Sequence, residues 1–108
     1  MGVASKLTFT GGCPTLKNDQ RLVQLAKTCA KTLFPDRKAV VTDGRGGGSE
    51  DFAYISQEIP SVLIVLAAGQ KDKGYAYPLH HSKTRFDEDV LWRGSALLAY
   101  FACEWLKK

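Results

Sequence analysis

The run Val62-Leu63-Ile64-Val65-Leu66 constrains this 108-residue chain more than any other feature, because no polar residue interrupts it between Ser61 and Ala67. A strand with one wet face alternates apolar and polar residues. A strand that is apolar at every position has to be covered on both sides. Any fold that contains this run therefore needs a sheet with helices packed on each face. The run is far shorter than the ~20 apolar residues that cross a bilayer, so no membrane span is expected.

The flanking segments supply the helices. Ala4 to Thr10 alternates, with Leu7 and Phe9 on one face and Lys6, Thr8 and Thr10 on the other, and reads as a half-buried strand. Gly11-Gly12-Cys13-Pro14 breaks it. Asn18 is placed to cap a helix in which Leu22, Leu25, Ala26, Cys29 and Leu33 recur at helical spacing, and Pro35 stops that helix. Ala39-Val40-Val41 reads as a short strand. Ser49 is expected to cap a second helix, Glu50 to about Glu58, with Phe52, Ile55 and Ile59 inward and Pro60 at its end. Gly69 to Arg85 is a long irregular stretch. Asp87 caps a last helix from Glu88 to about Lys107, with an expected inward stripe of Leu91, Gly94 or Ser95, Leu98, Ala102 and Trp105, and Leu97 and Phe101 beside it.

The order is a strand, then α-β-α-β-α, which predicts an α/β layer with right-handed crossovers. Only two central strands then lie beneath three helices. Two strands are too few to bury both faces, so the sequence reads as the end of a larger domain or as a chain that pairs with another. Val62, Ile64 and Leu66 are predicted to be incompletely covered, which favours a homo-oligomer.

Composition narrows the class. Hydrophobic residues make up 44% and charged residues 24%, which is enough apolar surface to exclude a disordered chain. Fifteen Lys and Arg against eleven Asp and Glu give a net charge of +4. The basic residues are scattered with no block of like charge, which speaks against nucleic-acid binding. Three cysteines without metal-ligand spacing fit a reducing cytoplasm. The first residues lack a basic start and an apolar core, so no secretory signal is expected.

Chemistry gathers in two loops. The first is Asp43-Gly44-Arg45-Gly46-Gly47-Gly48-Ser49-Glu50-Asp51. Its glycines let backbone N–H groups approach a ligand, and a helix start follows that favours an anion. It is neither a phosphate-binding loop, since no Gly-Lys-Ser/Thr follows, nor a dinucleotide fingerprint, since the Gly-x-Gly-x-x-Gly pattern fails at Ser49. By itself it is equally a plain strand-to-helix connection. The second loop is Tyr77-Pro78-Leu79-His80-His81-Ser82-Lys83, which holds both histidines of the chain. Adjacent histidines on an extended backbone point in different directions, so one can ligate a metal while the other faces solvent. Two solvated loop histidines are the alternative. A closed metal site needs three or four ligands, more than this chain offers by inspection.

Taken together, Gly48-Ser49-Glu50-Asp51-Phe52-Ala53-Tyr54, Ile59-Pro60-Ser61, the apolar strand ending at Gly69, and His80-His81 ahead of Phe86-Asp87-Glu88-Asp89-Val90-Leu91 resemble the metal-dependent aminoacylase/carboxypeptidase family. This family includes hippurate hydrolase and the auxin-conjugate amidohydrolases. Leu16-Lys17-Asn18-Asp19 is similar to the start of the helix that re-enters the family's catalytic domain. The resemblance runs from Leu7 to Leu106. It implies the C-terminal part of a zinc-exopeptidase-like three-layer α/β catalytic domain over residues 17–108, with residues 1–16 ending a lid or dimerisation domain. It also implies a fragment of a longer hydrolase that cleaves the amide of N-acyl amino acids or similar conjugates with a metal-activated water.

The family's site holds two divalent cations, zinc or manganese. Most of its ligands and its general base lie in segments that precede these residues in family members, so the resemblance assigns no catalytic residue here and implies that the isolated chain is inactive. It assigns His80, by its distance from Glu88 and Leu91, as one metal ligand, and Gly46, Gly47, Gly48 and Ser49 as substrate contacts. Family members usually carry an apolar residue in place of Gly48 and Pro in place of Ser82. Two further readings stand beside the enzyme: a non-catalytic α/β interaction module or remnant of the same family, and an unrelated small basic binding protein.

Overall fold

The computed structural model describes residues 2–35 and 48–107, so the expected strand at 39–41 and most of the glycine run lie outside the described residues. Helix α1 spans Gln20–Leu33. Its cap is Asp19, not Asn18: Asp19 Oδ1 accepts the N–H groups of Arg21 at 2.9 Å and Leu22 at 3.1 Å. Both residue types cap well. Tertiary contact decides between them, because the Asn18 carboxamide is engaged elsewhere. Asn18 Oδ1 accepts the N–H of Leu63 at 2.9 Å, and the Asp19 N–H donates to the Ser61 carbonyl at 2.8 Å. Two adjacent residues thus start α1 and clip the 61–63 segment to it. The helix buries Leu22 and Cys29 and ends as Phe34 N–H donates to the Ala30 carbonyl, with Pro35 next. Burial pushes the Cys29 thiol up in pKa, and nearby Glu104 adds to the shift.

Helix α2 spans Phe52–Glu58. Ser49 lies two residues outside its N-cap, Asp51, and makes no hydrogen bond among the described residues. Glu50 Oε1 instead accepts the Phe52 N–H at 3.2 Å. Ala53 is buried, whereas Ile55 and Ile59 are exposed, contrary to the expected stripe. The reason is that residues 12–17 run along α2 and bind its polar groups. Tyr54 donates its hydroxyl to the Gly12 carbonyl, Gln57 its side-chain amide to Thr15, and Lys17 its N–H to Ser56 Oγ.

Helix α3, Leu91–Leu106, follows a 3₁₀ turn at Glu88–Val90 that Asp87 caps through the Asp89 N–H at 3.2 Å. Asp87 thus caps the 3₁₀ turn that leads into the helix, whereas the N-cap of α3 itself is Val90, which makes no side-chain cap bond. The inward face is not the expected one. Leu91, Leu98 and Trp105 are exposed, while Gly94, Leu97 and Phe101 are half-buried. The helix approaches the 61–68 segment closely at Gly94, where a Cβ would sit 3.2 Å from Leu66 Cδ2. Helices α1 and α3 pack together, with Phe34 edge-on to Trp92 at 5.8 Å and 74°.

Among the described residues there is no strand. One isolated antiparallel bridge joins Gln70 and Tyr75. The segments 4–10 and 61–67, both expected as strands, have no ladder partner, and strand backbone persists only where its N–H and C=O groups are paired. Val3, Leu7 and Phe9 are almost fully exposed. Val62 and Ile64 are half-buried, and Leu63, Val65 and Leu66 are exposed. The accessible surface is 9490 Å², against about 6,000 Å² for a closed monomer of this mass.

Asp19→Ala is expected to lower unfolding stability by about 1 kcal/mol, since two N–H groups lose their acceptor. Urea melts followed by helical circular dichroism measure this. An unchanged midpoint would show that Asp19 is not the cap.

Candidate functional site

The segment between Ala68 and Asp87 is closed at its base. The Asp87 N–H donates to the Ala68 carbonyl at 2.8 Å. Inside it, Gln70 and Tyr75 exchange both backbone hydrogen bonds around a turn that ends at Gly74, whose φ of 78° calls for glycine. Lys73 then reaches across the base, with Nζ 3.0 Å from Asp87 Oδ2 and 3.4 Å from Asp89 Oδ2. Asp87 is the one buried charged residue among those described. The Lys73 ammonium holds its carboxyl below the usual range, and the same bond raises Lys73.

At the tip of the segment the chain makes two successive turns. His81 N–H donates to the Pro78 carbonyl at 3.3 Å, and Thr84 N–H to the His81 carbonyl at 3.0 Å. His80 is the third residue of the first turn and has φ 68°, the only positive φ at a non-glycine among the described residues. That φ sign suits a type II turn, where glycine is the usual occupant, so histidine sits there at a conformational cost.

The two histidines differ sharply. The His81 ring stacks on Tyr77 at 4.5 Å and 13°, and its Nδ1 accepts the Lys83 N–H at 3.1 Å. Lys83 Nζ lies 5.9 Å from the Tyr77 ring centre. His81 therefore has one ring nitrogen and one ring face committed. His80 is exposed and makes no hydrogen bond or ring contact among the described residues. Its imidazole is open to an incoming ligand, and one neutral imidazole fits a divalent metal as a single donor. No group of three or more His, Cys, Asp or Glu converges among the described residues, so these residues do not by themselves form a closed metal site.

Of the predicted substrate contacts, Gly46 and Gly47 lie outside the described residues. Gly48 is exposed with open space where a side chain would project, and Ser49 is exposed just ahead of α2. No hydrogen bond among the described residues joins either to His80. The Lys73–Asp87 brace and the Thr84 contacts escaped the sequence reading, because pairings across a loop leave no periodic pattern.

The chain belongs to the peptidase family M20/M25/M40, whose pattern matches residues 4–104. Members of this family are hydrolases and are generally metal-dependent. The chain is 25% identical over 104 residues to a probable hydrolase of Synechocystis sp., covering 96% of this chain and 26% of that protein. It is 34% identical over 95 residues to IAA-amino acid hydrolase ILR1-like 2 of Arabidopsis thaliana, covering 88% of this chain and 21% of that one. It is 38% identical over 61 residues to thermostable carboxypeptidase 2 of Saccharolobus solfataricus, covering 56% of this chain and 16% of that protein. The chain thus spans about a quarter or less of these relatives' length. No solved structure matches it. No helix among the described residues is long and apolar enough to cross a membrane.

Two outcomes follow from this geometry. His80→Gly is expected to raise stability by about 1 kcal/mol, because glycine adopts the left-handed conformation without strain. A lower denaturation midpoint would contradict the turn described. Asp87 has a depressed folded-state pKa, so its contribution is complete above its ordinary value of 3.8 and disappears as pH falls through the folded value. Asp87→Asn is expected to lower stability at neutral pH and to flatten the acid limb below about pH 4, as read from denaturation midpoints against pH.

Proposed function

We propose that these residues serve a metal-dependent amidohydrolase that cleaves the amide of an N-acyl amino acid or similar conjugate. Residues 17–108 form the C-terminal part of its three-layer α/β catalytic domain, and residues 1–16 end its lid or dimerisation domain. The carrying observation is His80, exposed, unengaged and held at positive φ in a chain that matches the hydrolase family over residues 4–104.

His80 offers a neutral imidazole as one ligand to zinc or manganese, of which the site takes two ions. When bound, such ions supply an activated water for attack on the amide carbonyl. The remaining ligands and the general base come from residues beyond these 108. Gly46, Gly47, Gly48 and Ser49 contact the substrate, their backbone N–H groups holding its carboxylate. The open space at Gly48 and the uncommitted Ser49 hydroxyl support that role. An amino-acid conjugate as substrate agrees with the names of the plant and archaeal relatives, one an IAA-amino acid hydrolase and the other a carboxypeptidase. The exposed apolar residues of 61–67 and α3 support assembly into a homo-oligomer, and three cysteines without metal-ligand spacing support a cytoplasmic location.

The test is divalent-metal titration by calorimetry. His80→Ala is expected to weaken binding about 10-fold or more, and His81→Ala to leave it unchanged. Equal affinities for wild type and His80→Ala would favour the non-catalytic reading instead. Purified 108-residue chain with added zinc or manganese is expected not to hydrolyse hippurate, since on this reading the general base and the remaining ligands lie in other residues. Turnover would overturn the assignment of the other ligands to residues elsewhere.

A further inference from the structure

The tip of the 77–84 segment holds His80 through contacts that the metal-ligand assignment does not explain. Every residue from Ala76 to Phe86 is exposed except Thr84. Its hydroxyl oxygen lies 2.6 Å from the Pro78 carbonyl and 2.7 Å from the His81 carbonyl. Those two carbonyls belong to the first and last residues of the turn that contains His80. The hydroxyl has one proton to donate and lies within bonding reach of both, so Thr84 can tie either end of that turn. The Thr84 N–H adds a third bond, to the same His81 carbonyl. Tyr77, the residue before the turn, stacks on His81, the residue that ends it, and closes the same span through side chains. The turn's third residue has the φ of a glycine and carries a histidine. Left to itself, a Pro-Leu-His-His stretch has no reason to keep its second-last residue left-handed, since that costs about 1–2 kcal/mol. Something around the turn has to impose it.

We infer that Thr84, assisted by the Tyr77–His81 stack, is the positioning residue that locks the 78–81 turn and so presents the His80 imidazole outward for a divalent cation. This deepens the metal-ligand reading of His80 and rests on it. The device is local. The Thr84 hydroxyl is engaged with the Pro78 and His81 carbonyls and fixes the backbone around His80, while the His81 ring is engaged by Tyr77 and the Lys83 N–H.

Two readouts on the full 108-residue chain separate the clamp from the ligand. The first is the intraresidue HN–Hα nuclear Overhauser effect of His80, which is strong when φ is positive. The second is paramagnetic broadening of the His80 ring signals by cobalt(II) chloride, used as a stand-in for zinc. Wild type is expected to show both. Thr84→Val, which keeps the shape and removes the hydroxyl, is expected to lose the strong Overhauser effect. It should also need about 10-fold more cobalt for the same broadening, the usual scale for losing a group that orients a ligand. Thr84→Ser is expected to restore both. Unchanged α1 and α3 amide signals in Thr84→Val show that the rest of the fold is intact. If Thr84→Val keeps the wild-type Overhauser effect and cobalt response, the inference is overturned. If the valine variant loses the effect but wild-type His80 ignores cobalt, the clamp stands and the metal-ligand reading falls. If Thr84→Ser fails to restore the effect, the hydroxyl is not the clamp and the inference is again overturned.

Discussion

Two neighbouring side chains, Asn18 and Asp19, hold the described structure together. Asp19 closes the start of α1 with its carboxylate and donates its N–H to Ser61, while Asn18 takes the N–H of Leu63. The same stretch of chain, a few residues earlier, binds α2 through Gly12, Thr15 and Lys17. The start of α1, helix α2 and the 61–63 segment therefore meet at residues 12–19. These bonds are directional and polar, so they fix geometry while adding little apolar burial. Leu22, Cys29 and Ala53 are the buried apolar residues among those described. A chain joined this way has defined positions and a thin core.

The thin core and the family membership describe the same physical situation from two sides. The surface left open exceeds what a closed monomer of this mass would show, and it includes Val65, Leu91 and Leu98. The relatives are roughly three and a half to four times as long. An apolar run such as Val62–Leu66 is stable when both of its faces are covered, and here α3 reaches only part of it, through the close approach of Gly94 to Leu66. On the proposed reading, the cover for this run is the rest of an α/β layer.

At the candidate site, strain and order go together. His80 pays for a left-handed backbone while the residues around it, Tyr77, His81, Lys83 and Thr84, are tied to one another. The Lys73–Asp87 pair braces the base of the same segment next to the start of α3. A side chain held on a preformed turn loses less entropy on binding a partner than one on a slack loop.

The helices were legible in the sequence because their signals are local. The 3.6-residue recurrence of Leu22, Cys29 and their neighbours, the stop at Pro35 and the Asp87 cap on the 3₁₀ turn ahead of α3 each act within a turn of chain. The family was legible too, because short motifs in a fixed order survive without any knowledge of contacts. What failed were the choices that depend on distant partners. Asn18 and Asp19 are equal as caps until Leu63 arrives to claim one of them. The Ile55 and Leu98 stripes face outward because residues 12–17 and Leu66 select other faces. The strands at 4–10 and 61–67 need ladder partners that no local pattern provides. His80 was chosen by its spacing to Glu88 and Leu91, but its left-handed turn and the Thr84 clamp were invisible, since a hydroxyl bridging two carbonyls has no periodicity. By itself the sequence determined which segments become helices and which family the chain joins, through interactions spanning a few residues. Tertiary structure alone decided which face each helix buries, which of two adjacent caps is used and how His80 is presented, because each is a competition settled by groups far apart along the chain.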